Sequence, residues 1–192
     1  MRIIAGKNKG RKLKTLSGSK IVRPTKDIVK EAIFNILFNY PENKICLDLF
    51  AGFGSLGLEA LSRGAAKVDF VEINPKNCKI ISENIRLLEG EDSCQVYCQE
   101  VISYLQKTAN KYQLVFLDPP YDYGQYQEVL FYLLKNNLLI NPAIIVLEHA
   151  PEKTFKEISN YLFLKNANYG DSAVTLLEYQ GLTEEEDSYG KE

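Results

Sequence analysis

The stretch Leu47-Asp48-Leu49-Phe50-Ala51-Gly52-Phe53-Gly54-Ser55-Leu56-Gly57 decides the fold. A buried strand runs into a glycine turn and then into a helix, and backbone in such a turn can approach a ligand closely. Outward from it, short apolar runs alternate with amphipathic stretches, the signal for βα units and a parallel sheet. Strands are expected at Ile45 to Leu49, Lys67 to Val71, Gln95 to Cys98, Leu114 to Leu117 and Ala143 to Leu147. Helices are expected at Ser55 to Ser62, Pro75 to Leu88, Val101 to Thr108, Gln125 to Asn136 and Glu152 to Ser159. An earlier helix begins near Thr25, whose hydroxyl can cap the turn after Pro24, and ends at Tyr40 and Pro41. Leu162 to Ala167 and Ala173 to Tyr179 follow with no helix between them, which adds a terminal hairpin. The fold class is therefore α/β, an open, doubly wound, mostly parallel sheet with helices on both faces and one antiparallel edge strand.

With 192 residues, 45% of them hydrophobic, a single sizeable core can form without disulfides or metals. We expect one domain over 1–182, with a basic arm at 1–24, and a disordered acidic tail at 183–192. Four cysteines and one histidine make a poor metal set, since the only close pair, Cys94 and Cys98, has no second pair to complete zinc. No apolar run is long enough to span a bilayer, and charges interrupt the N-terminus where a signal peptide needs an apolar stretch. A soluble, cytoplasmic protein is expected, with no metal and no membrane partner. The net charge of −2 hides an asymmetry. Residues 1–30 hold ten of the 23 Lys and Arg against Asp27 alone, so a basic arm joins an acidic body. Such polarity points to a polyanion at the N-terminus, with Lys7, Lys9, Arg11, Lys12 and Lys14 as its candidate contacts.

Gly52, Gly54 and Gly57 satisfy G-x-G-x-x-G, which suits a dinucleotide or S-adenosylmethionine. Asp48 favours the second. A dinucleotide would bring its pyrophosphate over this turn and be repelled by a poorly solvated carboxylate, whereas an ammonium and a sulfonium are attracted. The carboxylate of S-adenosylmethionine can still meet the helix N-terminus beyond Gly54. Phe50, Gly52 and Gly54 are thus candidate cofactor contacts. Glu72, at the end of the next strand, can accept from both ribose hydroxyls, Ile73 can cover the adenine, and Glu100 can meet its amino group.

The strand Leu114 to Leu117 ends in Asp118-Pro119-Pro120-Tyr121. Neither proline donates a backbone hydrogen bond and each restricts its predecessor, so a carboxylate, a carbonyl and an aromatic ring are held stiffly at the ligand-binding edge of the sheet. An exocyclic amine on a purine is a poor nucleophile because its lone pair is delocalised. Asp118 and the Pro119 carbonyl can each accept one of its N–H groups, favouring the pyramidal nitrogen of the transition state, while Tyr121 stacks on the unstacked base. A dehydrogenase has no use for this turn.

Arg2-Ile3-Ile4-Ala5-Gly6, Gly10-Arg11-Lys12-Leu13, Arg23-Pro24-Thr25, Phe34-Asn35-Ile36-Leu37, the glycine loop through Glu59-Ala60, Ser62-Arg63-Gly64-Ala65 and Asp118-Pro119-Pro120-Tyr121 closely resemble the bacterial 16S ribosomal RNA guanine-N2 methyltransferases. The likeness runs from Met1 to about Tyr179. It implies a seven-stranded, Rossmann-like class I methyltransferase fold, S-adenosylmethionine as donor, and a guanine of 16S rRNA, naked or in a small subunit or assembly intermediate, as target of a monomer. It further implies that Arg23 and Thr25 fold over the cofactor, that the arm meets RNA, and that Glu148-His149 lies near the site. Glu100 departs from the Asp or Asn frequent in relatives, and the acidic tail from Glu184 is unlike the family. The rivals are an N6-adenine DNA methyltransferase, for which 192 residues leave no room for a recognition domain, a protein-glutamine methyltransferase, and a silent RNA-binding assembly protein.

Overall fold

The computed structural model describes residues 1–16, 24–120, 123–155 and 158–181, with the side chains of 24–26 outside that description. Seven strands form one sheet: β1 (Ile45–Leu49), β2 (Lys67–Glu72), β3 (Cys94–Cys98), β4 (Tyr112–Leu117), β5 (Leu139–His149), β6 (Tyr161–Tyr169) and β7 (Ser172–Tyr179). Five helices accompany them: α1 (Pro24–Leu37), α2 (Ser55–Ser62), α3 (Pro75–Leu87), α4 (Val101–Leu105) and α5 (Tyr126–Lys135). The strand order is β3-β2-β1-β4-β5-β7-β6, and the first five are parallel. The order reverses at β1 and β4, and ligands of open α/β sheets bind beyond the C-terminal ends of strands at such a switch point.

Alternation along the strands builds two cores. Cys46 of β1, Phe116 of β4 and Val146 of β5 face α1, α2 and α3, while Leu47, Val115 and Ile145 face α4 and α5. Helices therefore cover both faces, as expected.

Four expectations change. The antiparallel strand is not at the edge: β7 lies between β5 and β6 and is antiparallel to both, leaving β6 outermost. The expected helix from Glu152 to Ser159 does not form among the described residues. Phe155 instead buries against the rings of His149 and Tyr126, and Ile158 bridges to Tyr161, so the connection is irregular. The helix expected from Val101 to Thr108 stops at Leu105. Finally, α1 starts at Pro24, whose fixed φ and missing N–H suit a first helical position, so Thr25 lies inside the first turn rather than capping it. Phe38, with φ 49°, ends α1. No helix of the described residues is long and apolar enough to cross a membrane.

Candidate active site

The turn after β1 is left-handed at Phe50 (φ 59°), Gly52 (φ 56°) and Gly54 (φ 81°). Two carboxylates hold it. Glu72, at the end of β2, accepts from Gly52 N–H at 2.8 Å and from Asn74 N–H at 2.8 Å, tying the turn to the next strand. Asp48, buried in β1, accepts from Gly57 N–H at 2.8 Å. Gly54 supplies no side-chain cap to α2, so Asp48 does this from a distance and places negative charge at the positive end of the helix. Gly57 lets α2 lie close against β2, because a Cβ there would lie 2.3 Å from Phe70 Cε1. Burial pushes the Asp48 carboxyl well above the usual carboxylate range; the Gly57 hydrogen bond opposes this, and the nearby charges of Asp118 and Glu72 add to it.

Above this turn opens a cavity of about 430 Å³ at the C-terminal edge of the sheet. It is lined by the loop from Phe50 to Phe53, by Glu72 and Ile73, by Glu100, and by Asp118-Pro119-Pro120. The structure thus brings together Phe50, Gly52, Glu72, Ile73, Glu100, Asp118 and Pro119. Gly54 lies at the start of α2 behind the wall, and Asp48 lies under it without lining the cavity. Arg23 and Tyr121 fall outside the described residues, as do the side chain of Thr25 and the expected tail. The Glu100 carboxylate caps α4, accepting from Ile102 N–H at 2.9 Å and Ser103 N–H at 2.7 Å.

Asp118 follows β4 directly, and Tyr123 N–H donates to the Pro120 carbonyl at 2.8 Å, closing the turn. Among the described residues no donor meets the carbonyl of Pro119. Tyr123 also packs edge-on against Phe50, with ring centroids 4.8 Å apart, so the two loops support each other. Glu148 and His149 line the same cavity from the end of β5. His149 is enclosed: Nδ1 lies 2.8 Å from the Ala150 carbonyl and Nε2 2.8 Å from Thr175 Oγ1. A carbonyl only accepts, so Nδ1 carries the proton, and the single hydroxyl proton of Thr175 lies between His149 Nε2 and Asn166 Oδ1, the latter 3.2 Å away. Burial lowers the imidazole below its ordinary pKa, and the ring is a packed neutral spacer.

The described part of the arm, residues 1–16, is a docked hairpin rather than a free tail. Arg2 bridges to Lys12, Ile3 N–H donates to the Arg11 carbonyl at 3.0 Å, and Ile3 and Leu13 are buried in the core on the α1 side. Its backbone is held by side chains of the body. Buried Glu59 accepts from Ile4 N–H at 2.8 Å and Ala5 N–H at 3.0 Å, Ser62 Oγ accepts from Asn8 N–H at 3.0 Å, and Asn84 Oδ1 accepts from Lys14 N–H at 2.7 Å. Gly6, at φ 80°, crosses so near α2 that a Cβ would lie 1.8 Å from the Ser62 carbonyl. Lys7, Lys9, Arg11, Lys12 and Lys14 remain exposed, with Lys14 paired to Glu83 at 3.0 Å. Lys30, counted with the basic arm by its position, is buried instead: Nζ donates to the Arg2 carbonyl at 2.6 Å and lies 3.8 Å from Glu59. Burial lowers its pKa, against the raising influence of Glu59 and Asp27.

Sequence reasoning missed Lys30, Asp27 and Tyr126 as cavity residues and Glu59, Ser62 and Asn84 as the arm's anchors. One signal was available for Glu59, an acid in the otherwise uncharged Ser55–Ser62 helix.

Among curated proteins, the chain is 38% identical over 173 residues to a Haemophilus influenzae protein named ribosomal RNA small subunit methyltransferase D, covering 88% of this chain and 89% of that one. The solved structure of yhhF from Escherichia coli superposes with a TM-score of 0.85 at 32% identity, covering 95% of this chain and 99% of that one. Magnesium protoporphyrin IX methyltransferase from Synechocystis, at 15% identity and a TM-score of 0.63 over 83% of this chain and 82% of that one, shares the fold. The fold is thus the Rossmann-like one of methyltransferases. Residues 1–178 match the family described as Conserved hypothetical protein 95, and the chain belongs to that family.

Proposed function

We propose that the protein transfers a methyl group from S-adenosylmethionine to the exocyclic N2 amine of a guanine in 16S rRNA of the small subunit. The observation that carries this reading is that one cavity is walled jointly by the glycine loop and by Asp118-Pro119-Pro120. The residues present fit the donor. Five carboxylates line the cavity (Asp27, Glu72, Glu100, Asp118 and Glu148), and their field suits a ligand bearing an ammonium and a sulfonium better than a pyrophosphate. Left-handed Gly52 has only the Phe50 carbonyl, at 4.0 Å, near a hypothetical Cβ, so backbone can meet the ligand there.

S-adenosylmethionine, when bound, supplies an electrophilic methyl on a sulfonium. The chain's own residues do the rest. Gly52 and Gly54 set the turn, Glu72 accepts from the ribose, Phe50 and Ile73 flank the adenine, and Glu100 meets the adenine amine with acceptor capacity left over from its cap. Asp48 supplies negative charge beneath the turn, and Arg23 and Thr25 close over the ligand. Asp118 and the Pro119 carbonyl accept the two N–H groups of the target amine and aim its lone pair, with Tyr121 stacked on the base. The nitrogen becomes acidic on attack and afterwards gives up its proton to solvent by way of the Asp118 carboxylate that accepts it. Lys7, Lys9, Arg11, Lys12 and Lys14 present a cationic surface to phosphates, which positions RNA without reading its sequence. The name of the Haemophilus influenzae relative supports small-subunit rRNA as substrate. Residues 1–182 act as one domain in this reading.

The test is labelled-methyl transfer to 16S rRNA and small subunits from a strain lacking the modification, followed by nucleoside mass spectrometry. N2-methylguanosine is expected. Transfer to neither RNA removes the reading and brings forward DNA or protein substrates.

A further inference from the structure

We infer that Glu148 is the residue that selects guanine, its carboxylate accepting the N1–H of the target base while Asp118 and Pro119 hold the N2 amine. This rests on the reading of the reaction as guanine-N2 methylation. The argument begins with register. Leu117 of β4 pairs with Leu147 of the parallel strand β5, so Asp118 and Glu148 are the next residues on neighbouring strands, about 5 Å apart along the sheet. Alternation puts both on the side of Phe116 and Val146, opposite Leu117 and Leu147, and both line the cavity.

Glu148 is also oriented. Ser172 Oγ–H donates to its Oε1 at 3.0 Å from the buried start of β7, and Tyr126 O–H donates to its backbone carbonyl at 3.2 Å. Both acids act electrostatically on Tyr126, which stands in the cavity wall beside them. Two adjacent carboxylates on one wall offer a row of acceptors and no donor.

That row matches one base edge. Guanine presents N1–H and the N2 amine side by side, all donors. Adenine presents a lone pair at N1 beside its amine, and that lone pair would face the Glu148 carboxylate with like polarity. A site built to accept a hydrogen bond rejects an analogue that cannot donate it far more strongly than shape alone could. Asp118-Pro119 accepts N–H groups from any such amine, so discrimination between bases falls to Glu148.

The experiment compares guanine with 2-aminopurine at the methylated position, in 16S rRNA joined from fragments. 2-Aminopurine keeps the reacting amine but has an acceptor at N1. Native enzyme should favour guanine by about 100-fold or more in kcat/KM. Glu148→Gln offers both an acceptor and a donor, and should narrow that ratio at least about tenfold, measured with S-adenosylmethionine saturating for each protein. Should that variant not fold, Ser172→Ala loosens the same carboxylate and should narrow the ratio about threefold. An unchanged ratio alongside a general fall in rate overturns the proposal and leaves Glu148 as structural. No methylation of guanine by native enzyme overturns the underlying reaction together with it.

Discussion

Glu59→Gln is the substitution whose consequence the structure specifies most fully. The carboxylate is fully buried, 2.9 Å from Arg63 Nε and 3.8 Å from Lys30 Nζ, and accepts two N–H groups of the arm. Glutamine keeps the shape but removes the charge and turns one acceptor into a donor, which meets an N–H head-on. Lys30, 2% exposed, keeps only the weaker attraction of Asp27. Breaking a buried pair from one side costs about 3–5 kcal/mol. With a urea dependence of about 3 kcal/mol per molar for a domain of this size, the midpoint should fall by roughly 1–1.7 M. Native-state hydrogen exchange should show the amides of Ile4, Ala5, Lys7 and Asn8 losing protection ahead of the sheet. Adding Lys30→Met removes the buried charge, so the double variant should be more stable than additivity predicts, by about 1–3 kcal/mol. A midpoint within about 0.2 M of native for Glu59→Gln, with the arm amides still protected, would refute the claim that this carboxylate docks the arm.

Asp48→Asn should stabilise the ligand-free protein while weakening S-adenosylmethionine. A carboxyl whose pKa is raised on folding stabilises below its unfolded value, near 3.8, and loses that contribution as pH rises through the folded value. At pH 7.5 the variant should therefore gain at least about 1 kcal/mol in urea unfolding, the gain vanishing toward pH 4, and calorimetry should show about tenfold weaker cofactor binding. Equal stability at pH 7.5 would show that the buried carboxylate is not strained. Asp118→Ala should abolish methyl transfer yet leave cofactor affinity within about threefold, and matched loss of both would place Asp118 in the cofactor site. Arg11→Ala with Lys12→Ala should weaken rRNA binding, with a salt slope shallower by about 1.4–1.8, and an unchanged slope would move the RNA surface elsewhere.

The strand, glycine turn and helix from Ile45 to Ser62 were legible because each residue's local preference agrees with its final place: apolar strand, left-handed glycines, helix former. The strand order past β5 was not, since a hairpin can add either strand to the sheet. The pattern did hold a trace of the answer. β7 is buried almost throughout, as a strand flanked on both sides must be, whereas β6 carries Lys165, Asn166 and Asn168 and is half exposed, as suits an edge. The helix expected at Glu152 to Ser159 rested on Phe155 and Ile158 at helical spacing, but the tertiary pull of the His149 and Tyr126 rings decided that segment. At the site, the place of Glu72, Asp118 and Pro119 in the cavity wall could be read from strand-end position alone. The employment of Glu100 as a helix cap and the burial of Asp48 beneath the turn depend on directions in space. The arm's charge was plain in the chain, but its anchors lie 54 to 70 residues away and engage peptide N–H groups, which look alike in every sequence.

That manner of attachment separates two things which in most nucleic-acid-binding proteins constrain each other. Ile3, Leu13 and the Lys14–Glu83 pair apart, the hairpin is fastened by its main chain, so the identity of the side chains at 7, 9, 11 and 12 has little bearing on whether it sits down. The outer face can thus exchange lysine for arginine, glutamine or serine with little penalty to folding. In the proposed role of the hairpin, affinity for RNA and its response to salt become a dial turned independently of the core, and grafting another hairpin's outer residues onto this backbone offers a direct route to a changed grip on that substrate.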